Sequence, residues 1–192
     1  MIRELEELMY VMSDFFMAPV LILLALLFVY SLYALGKFAS QAWQRSINKK
    51  AYQEALNKVW DSSNKNGIQG YPLYSLARTQ PKISRDELDV FAFEELEGVR
   101  TVSRLAPMLG LIATMVPMGP ALKSLADGNI QGISENLIIA FSAVIFGLVI
   151  ASITFWIASV SKRWLAADLI AIATKLDALK NQDPEEVIHE TA

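Results

Sequence analysis

The 192 residues contain no cysteine, so disulfides, thiolate nucleophiles and thiolate metal sites are excluded. Histidine occurs once, as His189, in a polar C-terminal stretch with no nucleophile or metal-ligating partner beside it, and it reads as a solvated residue. The nine glycines never assemble into a phosphate-binding loop with its lysine and hydroxyl. A net charge of −3 is too small to argue for nucleic acid. These absences leave no catalytic constellation. The expectation is a protein that is not an enzyme, with no cofactor, no metal and no nucleic-acid partner.

What the chain has in excess is apolar surface: 54% of its residues are hydrophobic and its mean hydropathy is +0.35, more than a soluble domain of this size needs. Three blocks carry the excess. Phe15 to Leu35 gives 21 residues without a charge, Leu105 to Leu122 gives 18 and Leu137 to Val160 gives 24. A helix needs about 20 residues to cross about 30 Å of hydrocarbon, so all three are long enough to span. The first block is too long for the apolar region of a signal peptide, and Glu4, Glu6, Glu7 and Asp14 stand where positive charge belongs, so it is expected to remain in the mature chain. The fold class expected is all-α: an integral membrane protein with three transmembrane helices and an extended cytoplasmic helical bundle.

Basic residues near the membrane ends set the orientation. Lys37, Arg45, Lys49, Lys50, Arg100, Arg104, Lys162, Arg163 and Lys175 flank one side, against Arg3 and Lys123 on the other. The amino terminus is therefore expected outside and the carboxy terminus in the cytoplasm of a multi-pass cell-membrane protein. The segments that follow are an outer amphipathic stretch 1–14, span one 15–36, a cytoplasmic helical segment 37–104 and span two 105–122. An outer loop with the start of helix three at 123–136, span three 137–160, a cytoplasmic helix 161–182 and a flexible tail 183–192 complete the chain. The cytoplasmic segment divides at Asn66-Gly67 and Gly70-Tyr71-Pro72. Phe38 to Val59 reads as a continuation of span one, and Ser84 with Glu87 as the capping pair that starts a second helix running toward span two. Beyond span three, Leu165, Leu169, Ile172, Leu176 and Leu179 recur at helical spacing.

The unusual residues lie at the membrane. Span two carries Pro107, Pro117 and Pro120 with Gly110 and Gly119, which free backbone groups that lipid cannot satisfy, so this helix is expected to pack inside an assembly. Gly147 joins them as a packing residue on span three. Thr114 is the only hydroxyl of span two; it either bonds the carbonyl one turn back or lines an ion path. Glu135 stands near the expected start of helix three, where it either complements the macrodipole or forms an ionisable pore entrance. Ser142, Ser152 and Thr154 are hydroxyls of span three.

The run Arg104-Leu105-Ala106-Pro107-Met108-Leu109-Gly110-Leu111-Ile112-Ala113-Thr114 resembles the Ala-Pro-x-Leu-Gly-Leu-x-Gly-Thr signature of the MotA/TolQ/ExbB proton-channel family. Gly132-Ile133-Ser134-Glu135, followed by Gly147-Leu148, is similar to that family's Gly-Ile-x-Glu-x-Leu and Gly-Leu elements. The resemblance implies a homopentamer surrounding the single transmembrane helices of a MotB/TolR/ExbD-like partner. Ion flow past an aspartate of that partner would drive relative rotation and protein or force transport across the envelope. By the same resemblance Thr114 faces the ion path and Glu135 is its entry. Ala113 replaces the family's glycine, and the span-three threonine has its counterpart at Ala140 or Val144, with Ser142 the nearest hydroxyl. A non-conducting membrane scaffold and a small-solute transporter component are the other readings.

Overall fold

The computed structural model describes residues 2–57, 67–80 and 83–180, and among them the regular structure is entirely helical. Helix α1 spans Ile2–Asn57, α2 Pro72–Thr79, α3 Arg85–Ala126 and α4 Ile130–Lys180. Three of these are long and apolar enough to cross a membrane. The tail 183–192, with His189, lies outside the described residues, as do Val59 and Asn66.

The starts and stops follow from local chemistry. At the head of α3 the Ser84 amide donates to Glu87 Oε2 at 2.9 Å while the Glu87 amide donates to Ser84 Oγ at 3.2 Å, completing the predicted capping box. Helix α2 has no counterpart among the sequence expectations. Pro72 opens it, at a position where the missing amide costs nothing, and Gly70 at φ 91° makes the turn before it.

Within 123–136, expected as an outer loop with the start of helix three, the connection between α3 and α4 is short and α4 begins at Ile130. Only Asp127, Gly128 and Asn129 separate the two helices. The Asn129 amide donates to the Ser124 carbonyl at 2.8 Å and the Gly128 amide to that of Leu125 at 3.1 Å, with Gly128 at φ 71°. This is the Schellman geometry that glycine closes without steric cost. Asn129 then caps α4, its Oδ1 accepting from the Gly132 amide at 3.0 Å. The polar residues Lys123 and Glu135 bound the apolar runs, yet the helical backbone continues through both, because hydropathy marks the hydrocarbon and not the end of a helix.

The chain forms two compact units. The first comprises Met1–Gly36 and Gly98–Ala158, the apolar parts of α1, α3 and α4. Its core gathers Leu24, Val102, Ala106, Ala113, Ala143 and Ile150, with Phe28 edge-on to Phe146 at 5.2 Å. Two hydroxyls are fully buried there. Ser31 donates to the Phe28 carbonyl at 2.7 Å and Thr154 to that of Ile150 at 2.7 Å, which satisfies each donor inside its own helix.

The second unit comprises Lys37–Glu97 and Ser159–Ala192. Tyr52, Tyr71, Leu73, Leu88, Leu96, Leu165 and Ile172 form its core, with Leu169 and Leu176 partly buried against it. Leu165, Leu169, Ile172 and Leu176 of the expected helical repeat thus pack inward; the side chain of Leu179 lies outside the described residues. At its centre Arg45 makes two bonds to Asp168, from Nη1 to Oδ2 at 2.7 Å and from Nη2 to Oδ1 at 2.8 Å. The same guanidinium donates to the Gly70 carbonyl at 3.1 Å and lies over the rings of Tyr71 and Trp164, 4.3 and 5.0 Å from their centroids. One side chain thus ties α1, the turn before α2 and α4 together.

Candidate ion path and helix-packing seam

Span two and span three meet backbone to backbone. A Cβ on Gly147 would stand 2.8 Å from the Ala106 carbonyl oxygen and 3.0 Å from Gly110 Cα; one on Gly110 would stand 3.4 Å from Gly147 Cα. Small residues continue the seam on both sides, with Ala106, Ala113, Ala140 and Ala143 all buried. This is how helices associate in lipid, where close van der Waals approach replaces the hydrophobic effect.

The packing residues expected from sequence divide accordingly. Gly110, Gly147 and Pro117 are buried, Pro107 is half-buried, and Gly119 is exposed on the flank of α3 that also carries Met115, Met118 and Leu122. Helix α3 runs unbroken through Pro107, Pro117 and Pro120.

Thr114 is half-buried beside this seam, next to buried Ala113. Its Oγ1 donates to the Leu111 carbonyl at 2.6 Å. The back-bond weighed from sequence is therefore present, and it has a chemical consequence. With the hydroxyl hydrogen committed to the backbone, the oxygen keeps its lone pairs, so this group can act toward any third party only as an acceptor. A cation ligand has that character.

Glu135 does not sit at the helix terminus. Asn129 caps α4 and Ile130 begins it, which places Glu135 in the second turn and leaves the first turn without an acid. The macrodipole reading loses its positional basis, since that effect fades within one turn. The carboxylate is exposed and accepts from Gln131 Nε2 at 3.0 Å.

Ser142 is exposed too, seven residues along α4 and thus about 20° around the helix from Glu135. Glu135, Ile138, Ser142 and Ile145 lie on one exposed stripe, turned away from the seam with α3. The two possible counterparts of the family's span-three threonine point the other way. Ala140 is buried and Val144 is half-buried, with its Cα 3.6 Å from where a Gly110 Cβ would be. The structure therefore groups Ser142 with Glu135, and among the described residues no hydrogen bond joins either to Thr114.

Sequence reasoning passed over the Arg45–Asp168 hub. Arg45 entered it only as one of the positive charges, and Asp168 not at all. A signal was present: Asp168 stands among Leu165, Leu169 and Ile172 on the apolar stripe of α4, where an acid must find a partner or remain neutral. Burial pushes the Asp168 carboxyl above its ordinary range and Arg45 pulls it back, with a net rise. Burial likewise raises the Tyr52 phenol, and the negative charge of Asp168 adds to the rise.

Three long apolar helices, two of them packed along a glycine-alanine seam, define a polytopic helical membrane protein. The chain belongs to the MotA/TolQ/ExbB proton channel family, whose model matches residues 41–173. It is a component of a proton channel. No curated protein and no solved structure matches it.

Proposed function

We propose that the chain is the ring-forming subunit, a pentamer, of an ion-gradient-driven motor or energy-transducing complex, and that it works with a single-span MotB/TolR/ExbD-like partner. The observation that carries the proposal is Thr114: half-buried in the family's signature run, with its hydrogen held by Leu111 and its lone pairs available. Such an oxygen replaces one ligand of a dehydrating ion, which otherwise faces a cost of several kcal/mol or more in hydrocarbon. Glu135, exposed in the second turn of α4, is the ionisable entrance, and Ser142 lies below it on the same stripe.

Assembly into a ring is supported by how little of the spans the subunit covers itself. In the most apolar windows of the three spanning helices, 11%, 33% and 28% of residues are buried within the chain. The exposed flank of α3 with Gly119, Met115 and Met118 then meets neighbouring chains. In this reading the second unit is cytoplasmic and the α3–α4 turn is outside, in keeping with the uneven basic charge.

Native mass spectrometry of the detergent-purified chain tests the ring. Pentamers are expected; monomers or dimers alone overturn it. A non-conducting scaffold is the second reading, and buried Ala140 with half-buried Val144 is what favours it, since neither offers a hydroxyl on span three.

A further inference from the structure

Two surfaces of the second unit remain apolar, one with Lys50 beside its exposed side chains and the other rimmed by acids. On α1, Trp43 is 73% exposed and Ile47 67%, with exposed Lys50 on the same stripe, opposite the face that carries buried Phe38 and Tyr52. The second surface is a groove between α2 and α3, floored by Leu76, Ile83, Val90 and Phe91 and rimmed by Asp86, Glu87 and Glu94. Val90 is 56% exposed there, and the described lining contains no Lys or Arg.

We propose that the α1 stripe of one copy docks into the α2–α3 groove of the next copy, head to tail around the ring. A surface of one kind meeting a different surface on an identical chain is a heterologous interface, the type that closes rings. This rests on the ring reading given above, and adds to it the surfaces through which the second units meet.

Register supports the pairing. The ion pair between Lys37 Nζ and Glu95 Oε1 at 3.0 Å sets α1 and α3 level at one point, and the two segments run antiparallel from it. With a rise of about 1.5 Å per residue, Trp43 and Ile47 lie about 9 and 15 Å beyond Lys37, and Val90 and Asp86 lie about 8 and 14 Å beyond Glu95. Rotation about a ring axis along the helices preserves level. Trp43 of one copy therefore comes opposite Val90 of the next and Ile47 opposite Asp86, with Lys50 just below, within reach of Asp86 on its four-carbon stem. Glu54 continues the α1 stripe but falls below the start of α3 and outside the pairing. A membrane is a poor occupant for Trp43 and Ile47. They lie about 12 and 18 Å along α1 past Leu35, the last residue of the apolar block, whereas the headgroup layer is about 5 to 8 Å deep.

The absence of native cysteine makes the test free of background. Trp43→Cys and Val90→Cys are introduced together and treated with a short thiol-reactive linker, and ring size is followed by native mass spectrometry. The expected result is a ladder of covalent products ending at the ring size. Neither single variant should give dimers alone, while an equal mixture of the two, assembled together, should. Lys50→Glu should cut the yield several-fold and adding Asp86→Lys should restore it. An intact ring without a ladder overturns this interface and leaves the ring standing, as do dimers from one single variant. A chain that is monomeric with and without the substitutions overturns the ring itself and the interface with it.

Discussion

Arg45 and Asp168, 123 residues apart in sequence, face each other with two hydrogen bonds of 2.7 and 2.8 Å, their side chains 12% and 4% exposed. A buried pair of this kind loses solvation on both partners, so its worth lies in what happens when one member is removed. Arg45→Ala leaves the carboxylate buried and unpaired and is expected to destabilise the chain by about 3–5 kcal/mol. Replacing both partners, as Arg45→Met with Asp168→Leu, should come close to the parent or exceed it. Thermal unfolding of the detergent-purified proteins separates the two cases. Equal losses in both would mean that the pair contributes through its charge after all.

The same carboxylate gives the second unit a pH dependence of definite sign. Burial raises the Asp168 value above 3.8 against the pull of Arg45, so on acidification the folded chain takes up the proton before the unfolded chain does. The stability linked to that uptake is fully present below the unfolded value and is lost as the pH rises through the raised folded value. Asp168→Asn should flatten that part of the stability profile. A slope unchanged by the substitution would remove Asp168 as its source.

At the seam between the spans, Gly147→Ala should be worse than Gly110→Ala. The new methyl on Gly147 meets backbone atoms at 2.8 and 3.0 Å, which cannot move aside cheaply, whereas that on Gly110 meets its nearest atom at 3.4 Å, an ordinary contact. Overpacking of this kind costs about 1–3 kcal/mol. Melting temperatures in detergent check the order; a larger drop for Gly110→Ala would contradict the geometry.

Thr114→Val keeps the shape of the side chain and removes the oxygen. The ring and its partner should assemble as before while gradient-driven ion flux in proteoliposomes falls by at least about tenfold, the loss of about 1.4 kcal/mol of ion stabilisation. Thr114→Ser, which retains the acceptor, should recover much of the flux. Glu135→Gln keeps the size and the bond with Gln131 but abolishes ionisation, and is expected to lower flux or shift its pH profile. Full flux in both Thr114→Val and Glu135→Gln would remove these two residues from the ion path, whereas a parent chain that assembles with its partner and carries no flux would favour the scaffold reading.

The sequence by itself determined the class of this protein. The apolar blocks at Phe15–Leu35, Leu105–Leu122 and Leu137–Val160 required spanning helices, because backbone polar groups in hydrocarbon must be satisfied within the segment. The Ser84–Glu87 cap and the family's signature run were legible for the same reason: each is a local pattern, readable without knowing what lies across the fold. Tertiary structure decided what depends on distant partners or on backbone geometry. It placed Gly147 against Ala106 and Gly110, and it extended α3 and α4 past their apolar limits to a turn at Gly128. It set Ser142 on the stripe of Glu135 and turned Ala140 inward. It also brought Asp168 under the guanidinium of Arg45. Hydropathy measures where a residue is tolerated and periodicity which face it shares; neither names the residue opposite, which is settled only when helices far apart in sequence pack at van der Waals distance.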